Sequence, residues 1–360
     1  MLTAFSHTGG IEKFNRAFIK ALADLSASLS LRTCAGGMYD RNVDRQYTSD
    51  QPYHVSNGKK IQFVLWAIKQ SLKQDIVILG HLNLSLIAVL LKWIAPKKKV
   101  IVICHGIEVF EPVSGLKKKA LQQADHILAV SSYTKDQLVT KQGLPAEKIT
   151  VFPNTIDPFF QFPVDFAKPT YLKQRYGIVE NEKVIYTLTR LNSNEGYKGY
   201  DTLVSILPAL QQQNIPFKYI LAGKADAAEL QRMNTLISSL GQEEQVIMPG
   251  FIADEEVTDH YLLADVFVMP SKGEGFGIVY TEAMACGLPV IAGNKDGSTE
   301  ALQFGELGRL IDPDNADELK EALVHVLSLE HNPKEVQEKM LNHFSFERFK
   351  ERLRSVLARV

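Results

Sequence analysis

The densest chemistry in this chain lies in one stretch, Pro270-Ser-Lys-Gly-Glu-Gly-Phe-Gly-Ile-Val-Tyr-Thr-Glu-Ala-Met-Ala-Cys-Gly-Leu-Pro-Val290. Gly273, Gly275 and Gly277 lead straight into a helix-like run closed by Gly287 and Pro289. Glycine lets backbone N–H groups come close to a ligand, and a fresh helix adds its positive end at the same place. That combination suits an anion, and a diphosphate fits it well. Two carboxylates accompany the glycines. Glu274 lies in the loop, and Glu282 falls one helical turn past Ile278, so its side chain leans back toward the helix start. Aimed at phosphates these carboxylates would repel. As hydrogen-bond acceptors for sugar hydroxyls they make sense. The competing reading is a plain loop followed by a helix with a surface glutamate.

A second stretch reads Thr189-Arg-Leu-Asn-Ser-Asn-Glu-Gly-Tyr-Lys-Gly-Tyr-Asp-Thr-Leu203. Arg190 and Lys198 are cations placed to hold a diphosphate and to stabilise it as a leaving group. Taken alone they read equally as solvated loop charges. His105, in His105-Gly-Ile-Glu108, follows an apolar strand, although a lone histidine is usually structural. Gly9 and Gly10 sit between a short strand and a helix expected from about Ile11, which makes a second phosphate-facing turn.

These residues need elements to position them. Apolar runs without interruption alternate with amphipathic segments: 75–80, 100–104, 126–130 and 149–152, then 183–188, 217–221, 245–248, 266–269 and 289–292. Continuous apolar strands with helices between them imply parallel sheets covered on both faces. Pro153, Pro158, Pro163 and Pro169 break the pattern and mark a linker. The expected architecture is α/β, with two doubly wound Rossmann-like domains facing across a cleft. Residues 1–165 form an N-terminal domain and 170–344 a C-terminal one. A charged amphipathic helix near 345–360 packs back on the first. In such sheets ligands bind outside the carboxyl ends of the strands, where the residues above all fall.

Composition narrows the function. Forty Lys plus Arg against 41 Asp plus Glu leave a net charge of −1, which argues against nucleic-acid binding by bulk charge. Cys34, Cys104 and Cys286 have no metal-ligand spacing and no even count, so a reducing compartment fits. The N-terminus lacks a signal-peptide pattern. The longest apolar stretch, Leu82–Ala95, is interrupted and too short to span a bilayer. A cytoplasmic protein is expected.

Together the motifs resemble those of the retaining GT-B glycosyltransferases of family 4. Gly273–Val290 is similar to that family's Glu-x7-Glu signature. Thr189-Arg190-Leu191 with Lys198-Gly199, His105-Gly106, Gly9-Gly10, Val151–Asn154 with Asp157, Ala222-Gly223 and Pro249-Gly250-Phe251 follow in the family's order. The resemblance implies a donor UDP- or GDP-sugar, no separate cofactor and no catalytic metal. By it, the N-terminal domain is the acceptor side and the C-terminal domain holds the nucleotide sugar. Glu274 meets sugar hydroxyls, Glu282 the ribose, Arg190 and Lys198 the diphosphate, backbone amides at Phe276, Gly277 and Ile278 the sugar or phosphate, and His105 the sugar near the reacting carbon. The Gly10 turn closes on the phosphates, Gly223 lies in the nucleotide-binding half, and backbone near Ile252 meets the base. The chain departs from the pattern at Asp296, where the family often has glycine, and at Ser345-Phe346, where tryptophan usually follows the serine.

The implied activity is metal-independent hexosyl transfer to a sugar or lipid-linked acceptor, with retention, in bacterial surface polysaccharide or glycolipid synthesis. The alternatives are a non-catalytic nucleotide-sugar-binding protein and a sugar-nucleotide epimerase on the same fold. Asp312-Pro-Asp314 has the Asp-x-Asp form of a metal site but precedes a helix start, which explains it better. Lys59-Lys60, Lys97–Lys99 and Lys117–Lys119 alternate with apolar runs at 63–68 and 84–94. That pattern fits either helices that cover the sheet or a peripheral hold on an anionic inner membrane face.

Overall fold

The computed structural model describes residues 1–6 and 9–359. The chain divides into two compact units. Unit 1 comprises Met1–Phe160 with Phe344–Val360, and unit 2 comprises Gln161–His343. His7 and Thr8, ahead of the glycine pair, lie outside the described residues.

Unit 1 runs α1 (Gly10–Leu29), β1 (Ala35–Gly37), α2 (Arg45–Thr48), β2 (Tyr53–Val55), α3 (Lys60–Ser71), β3 (Ile76–Leu79), α4 (Ser85–Ile94), β4 (Lys99–Cys104), α5 (Gly115–Gln123), β5 (His126–Ala129), α6 (Ser132–Thr140) and β6 (Ile149–Val151). Strands β3 to β6 form a parallel sheet in sequence order, and β1 pairs with β2 separately. From Val100 to Cys104 every residue of β4 is buried, as a strand covered on both faces requires. Ser131 starts α6 in the usual way for a serine N-cap, its Oγ accepting from the Thr134 N–H at 3.1 Å.

Among the described residues ahead of Gly9, the expected short strand is not formed. Met1 and Leu2 accept from the N–H groups of Met38 and Tyr39 at 3.3 and 3.0 Å. Beyond that the backbone donors of Ala4, Phe5 and Ser6 turn to the buried Asp40 carboxylate, at 3.0, 2.9 and 3.2 Å. A side chain thus takes the donors that a ladder would have used. β1 and β3 are not bonded to each other, and a cavity of about 570 Å³ is lined by Ala35 and Gly36 of β1, Ile76–Leu79 of β3 and Phe18, Phe63 and Trp66.

Unit 2 continues with α7 (Thr170–Arg175), β7 (Lys183–Leu188), α8 (Tyr200–Gln211), β8 (Phe217–Ala222), α9 (Ala227–Ser239), β9 (Val246–Gly250), α10 (Asp254–Leu263), β10 (Val266–Met269), α11 (Ile278–Ala285), β11 (Val290–Gly293), α12 (Ser298–Ala301), β12 (Arg309–Ile311), α13 (Ala316–Ser328) and α14 (Pro333–Phe344). Its six-stranded sheet has the order β12-β11-β10-β7-β8-β9, all parallel. From β7 the chain winds outward through β8 and β9. It then returns to the other side of β7 and winds outward again through β10, β11 and β12. The winding therefore reverses between β7 and β10. In sheets of this kind ligands bind at such a reversal, outside the carboxyl ends of the strands.

The last helix, α15 (Phe346–Leu357), belongs to unit 1. Its buried Phe349 lies 5.6 Å from the ring of Phe14, 6.2 Å from Phe18 and 4.7 Å from Phe152. Tilted and edge-on rings at such separations add packing energy beyond the apolar area they bury.

Candidate functional site

The reversal between β7 and β10 places two sequence-distant loops side by side. The β7 loop carries Arg190, Glu195, Tyr197 and Lys198, and the β10 loop carries Lys272 to Gly277. A backbone bond ties them, from the Lys272 N–H to the Tyr197 carbonyl at 2.9 Å. Gly273 lies against Tyr197, and a Cβ there would come within 2.6 Å of the ring. Any side chain at 273 would push the two loops apart.

Across this junction the Lys198 ammonium donates to the Glu274 carboxylate. Both side chains are mostly buried, and the Lys198 Nζ also lies 5.2 Å from the centre of the Tyr197 ring. Burial opposes the Lys198 charge, but Glu274, Tyr197 and Glu195 outweigh it and hold the ammonium above the ordinary lysine range. Arg190 is arranged differently. It stays on its own loop and pairs with Glu195, with a largely exposed side chain. Of the two cations expected to share a diphosphate, Lys198 stands at Glu274 and Arg190 at Glu195.

Past Glu274 the backbone turns through Gly277, at φ +85°, into α11. That conformation is strained for any residue with a Cβ, and a Cβ there would also lie 2.3 Å from the Tyr280 ring. No described side chain caps this helix start. Phe276 and Ile278 bury their side chains and anchor the turn. Glu282 is buried one turn along, where its Oε2 accepts from the Tyr261 hydroxyl at 3.3 Å.

Two further positions expected in the site lie along the same sheet edge. Gly223 follows β8 at φ +134°, and a Cβ on it would meet the Thr189 carbonyl oxygen at 1.7 Å. The Gly223 N–H donates to the Gly250 carbonyl at 2.8 Å, so one residue without a side chain links the ends of β7, β8 and β9. Ile252, just beyond β9, is buried.

His105, Gly9 and Gly10 belong to unit 1. His105 follows β4, with its ring Nε2 2.9 Å from the Gly80 carbonyl. A carbonyl only accepts, so Nε2 carries the hydrogen of this contact. The His105 N–H donates to Glu108 at 2.6 Å, and Phe14 stands edge-on to the ring at 5.0 Å. Gly9 precedes α1, which begins at Gly10 rather than Ile11.

Asp312 and Asp314 are occupied by lysines. Lys272 lies 2.6 Å from Asp314, and Lys295 lies 2.6 Å from Asp312 and 2.8 Å from Asp314. Lys272 and then Lys295 pull the Asp314 carboxyl down to about 2. Among the described residues there is no group of three or more His, Cys, Asp or Glu that could hold a metal ion.

The structure adds residues that sequence reasoning passed over. Tyr197 and Glu195 brace the two cations, and Asp40 gathers the segment leading to Gly9. Asp296, noted only as a departure from pattern, accepts from the Glu274 N–H at 2.7 Å. None of these carries a sequence signal of its own. A single Asp or Tyr in a loop is legible only once the fold shows what it faces.

Comparison with known proteins completes the picture. The family described as Glycosyl transferases group 1 matches residues 170–342, and Glycosyltransferase Family 4 matches residues 8–159. The GDP-mannose-dependent alpha-(1-6)-phosphatidylinositol monomannoside mannosyltransferase of Mycobacterium tuberculosis is 31% identical over 245 residues, 65% of this chain and 62% of that protein. Mannosylfructose-phosphate synthase of Agrobacterium fabrum is 30% identical over 55% of this chain and 44% of its own. The matched regions are thus less than two thirds of either relative. Among solved structures, HepE of Anabaena in complex with UDP superposes with a TM-score of 0.79 at 21% identity, covering 99% of this chain and 98% of that one. The lipopolysaccharide outer core galactosyltransferase WaaB follows at 0.74 and 19%, covering 99% and 98%.

Proposed function

Because the chain belongs to the group 1, family 4 glycosyltransferases, we propose that unit 2 binds a nucleotide-diphosphate sugar and that the protein transfers its sugar to an acceptor hydroxyl. The observation that carries this reading is the meeting of Lys198 and Glu274 beside the start of α11, at the reversal of the sheet. A buried cation and a buried carboxylate in contact offer a phosphate and a sugar hydroxyl adjacent partners. The two-part donor needs that pair of chemistries side by side.

In the proposed reaction the bond from the anomeric carbon to the diphosphate oxygen breaks, and a bond to the acceptor oxygen forms. Negative charge grows on the departing diphosphate. Lys198, Arg190 and the N–H groups at Gly277 and Ile278 answer it, and contacts of this kind are each worth about 2–4 kcal/mol in a barrier. Glu274 accepts from sugar hydroxyls, Glu282 from the ribose, and backbone near Gly223 and Ile252 borders the base. From unit 1 we assign His105 to the sugar and the Gly10 turn to the phosphates. The acceptor attacks from the face the diphosphate leaves, its proton passes to the leaving phosphate oxygen, and configuration is retained. No metal ion takes part. The donor is a UDP- or GDP-sugar. A relative named for GDP-mannose and a fold neighbour bound to UDP support that choice.

For the acceptor we propose a lipid-linked or surface saccharide reached at an anionic membrane face. No described helix is long and apolar enough to cross a membrane. Unit 1 nevertheless exposes Trp93 at 80%, Ile61 at 78% and Leu65 at 66%, on helices whose flanks carry Lys59, Lys60, Lys97 and Lys98. Apolar side chains ringed by lysine are the features of interfacial binding. Sedimentation with anionic liposomes at low and high salt tests it, and absence of binding at low salt removes the idea.

The decisive test of the donor reading is a thermal-shift screen with UDP-, GDP- and ADP-sugars. A ligand that binds only the folded state raises the melting temperature. The product anomer is then read by NMR. An inverted product would refute retention, and interconversion of the donor without acceptor would make the protein an epimerase.

A further inference from the structure

We infer that Asp296 is a positioning residue for Glu274: its carboxylate and the N–H of Gly297 together grip the Glu274 backbone and set where that side chain stands. The inference rests on the reading of Glu274 as a donor-site group. Two consecutive residues after β11 satisfy both polar groups of one residue after β10. Asp296 Oδ2 accepts from the Glu274 N–H at 2.7 Å, and the Glu274 carbonyl accepts from the Gly297 N–H at 2.9 Å. The second Asp296 oxygen accepts from the Ser298 N–H at 2.9 Å, at the start of α12. Each carboxylate oxygen therefore has its own backbone donor, and Asp296 cannot turn without releasing one.

The two loops also touch backbone to backbone. A Cβ on Gly297 would lie 2.0 Å from the Gly275 carbonyl oxygen and 2.9 Å from that of Glu274. Only glycine at 297 permits the approach that brings Asp296 into range.

Asp296 is 1% exposed, and burying a carboxylate is costly unless it is well bonded. A glycine at 296 would avoid that cost but would leave the Glu274 N–H without this acceptor. What the carboxylate gives in return is a fixed Glu274. Lys198 holds the far end of that residue and Asp296 holds its near end. Of the three loops that meet at Glu274, the β11 loop contributes the brace.

The ionisable groups that act on Asp296 are Glu274 and the phenol of Tyr280. Lys198 is bound to Glu274, and Lys295, next in sequence, is bound to Asp312 and Asp314. Burial pushes the Asp296 carboxyl up to about 6, the Glu274 and Ser298 bonds oppose it, and the Glu274 charge adds to it.

The test is the backbone amide of Glu274, followed by nitrogen–proton spectroscopy of the full chain between about pH 7.5 and about pH 5. In the wild type this amide should resonate downfield and shift as the Asp296 carboxyl takes up its proton, with a midpoint of about 6. In Asp296→Asn the titration is lost, and affinity for UDP-glucose or GDP-mannose, whichever the wild type binds, falls by at least about tenfold. A purely structural role would lower the melting temperature and leave that affinity unchanged. A Glu274 amide shift at about pH 7.5 that Asp296→Asn leaves unchanged overturns the inference. So does a titration that survives in Asp296→Asn. Lost titration with unchanged affinity overturns the positioning role and leaves the donor site standing. A wild type that binds neither nucleotide sugar overturns the proposed function, and the amide still reports separately on the grip.

Discussion

Lys198 donates directly to Glu274, joining residues 76 apart in sequence across the boundary between the β7 and β10 loops. The sequence marks each as a separate candidate, and the fold makes them one unit. Removing either leaves the other charged, mostly buried and without this partner, a situation that typically costs a few kcal/mol. Lys198→Met and Glu274→Gln should therefore each lower stability. The double variant should be more stable than the sum of the two losses, because it leaves no orphaned charge. Activity should behave otherwise: Glu274→Ala should slow turnover by at least about tenfold, roughly 1.4 kcal/mol, and the double variant should recover none of it. Urea unfolding and donor-consumption rates on the wild type and these four variants decide the matter. Wild-type turnover in Glu274→Ala would contradict the site.

Gly223→Ala should be among the most damaging single-methyl changes in unit 2. The φ of +134° is rarely tolerated by L side chains, and the new carbon would overlap the Thr189 carbonyl. The strain should cost about 2 kcal/mol or more and displace the backbone beside Arg190. Thermal melts and nucleotide titrations should both show it. A melting temperature within a degree or so of wild type would mean the junction is looser than described.

His81 gives unit 1 an acid-sensitive element. It is buried beside His105, with ring centres 5.7 Å apart, and its Nδ1 accepts from the Asn83 N–H at 3.0 Å. Burial pulls it from 6.5 down to about 4; Glu108 opposes the shift and His105 adds to it. The unfolded chain thus takes up this proton more readily than the folded one. Its contribution to stability is complete above about pH 6.5 and is lost as pH falls toward about 4. His81→Asn keeps a cap acceptor and has no proton to take up. Urea midpoints across that window should fall less steeply in the variant, by up to about 1.4 kcal/mol per pH unit. Identical slopes would remove His81 from the account.

Asp312 and Asp314 already bond Lys272 and Lys295. Alanine at either should change donor affinity little, because these ion pairs are exposed and weak. Chelation with EDTA should leave transfer intact. Abolition by EDTA, restored by a divalent cation, would reverse the proposal of a metal-free reaction.

The fold was legible where physical constraint is strong. Buried strands such as 183–188 and 266–269 are continuous apolar runs, and α8 and α15 announce themselves through their periodicity. The short strands β1, β2 and β12 were not found, since three residues that include glycine, histidine or arginine give no apolar run to read. The strand expected before Gly9 failed because Asp40, distant in sequence, takes its backbone donors. The site followed the same rule. Gly277 carries its constraint locally, as a positive φ beside Tyr280, whereas the space missing at Gly223 is taken by the distant Thr189 carbonyl. The pairing of Lys198 with Glu274, and the hold of Asp296 on Glu274, depend on which loops the sheet order brings together.

The return of α15 to unit 1 has a consequence for connectivity. Unit 2 is an insertion within unit 1, entered after Phe160 and left before Phe344. Two covalent tethers join the units where most two-domain chains have one. A single proteolytic nick near Val164, which is 98% exposed, frees no fragment while the second tether holds. A stop codon after His343 would take Phe349 away from Phe14, Phe18 and Phe152, so the cost of losing the tail would fall on the amino-terminal half of the protein.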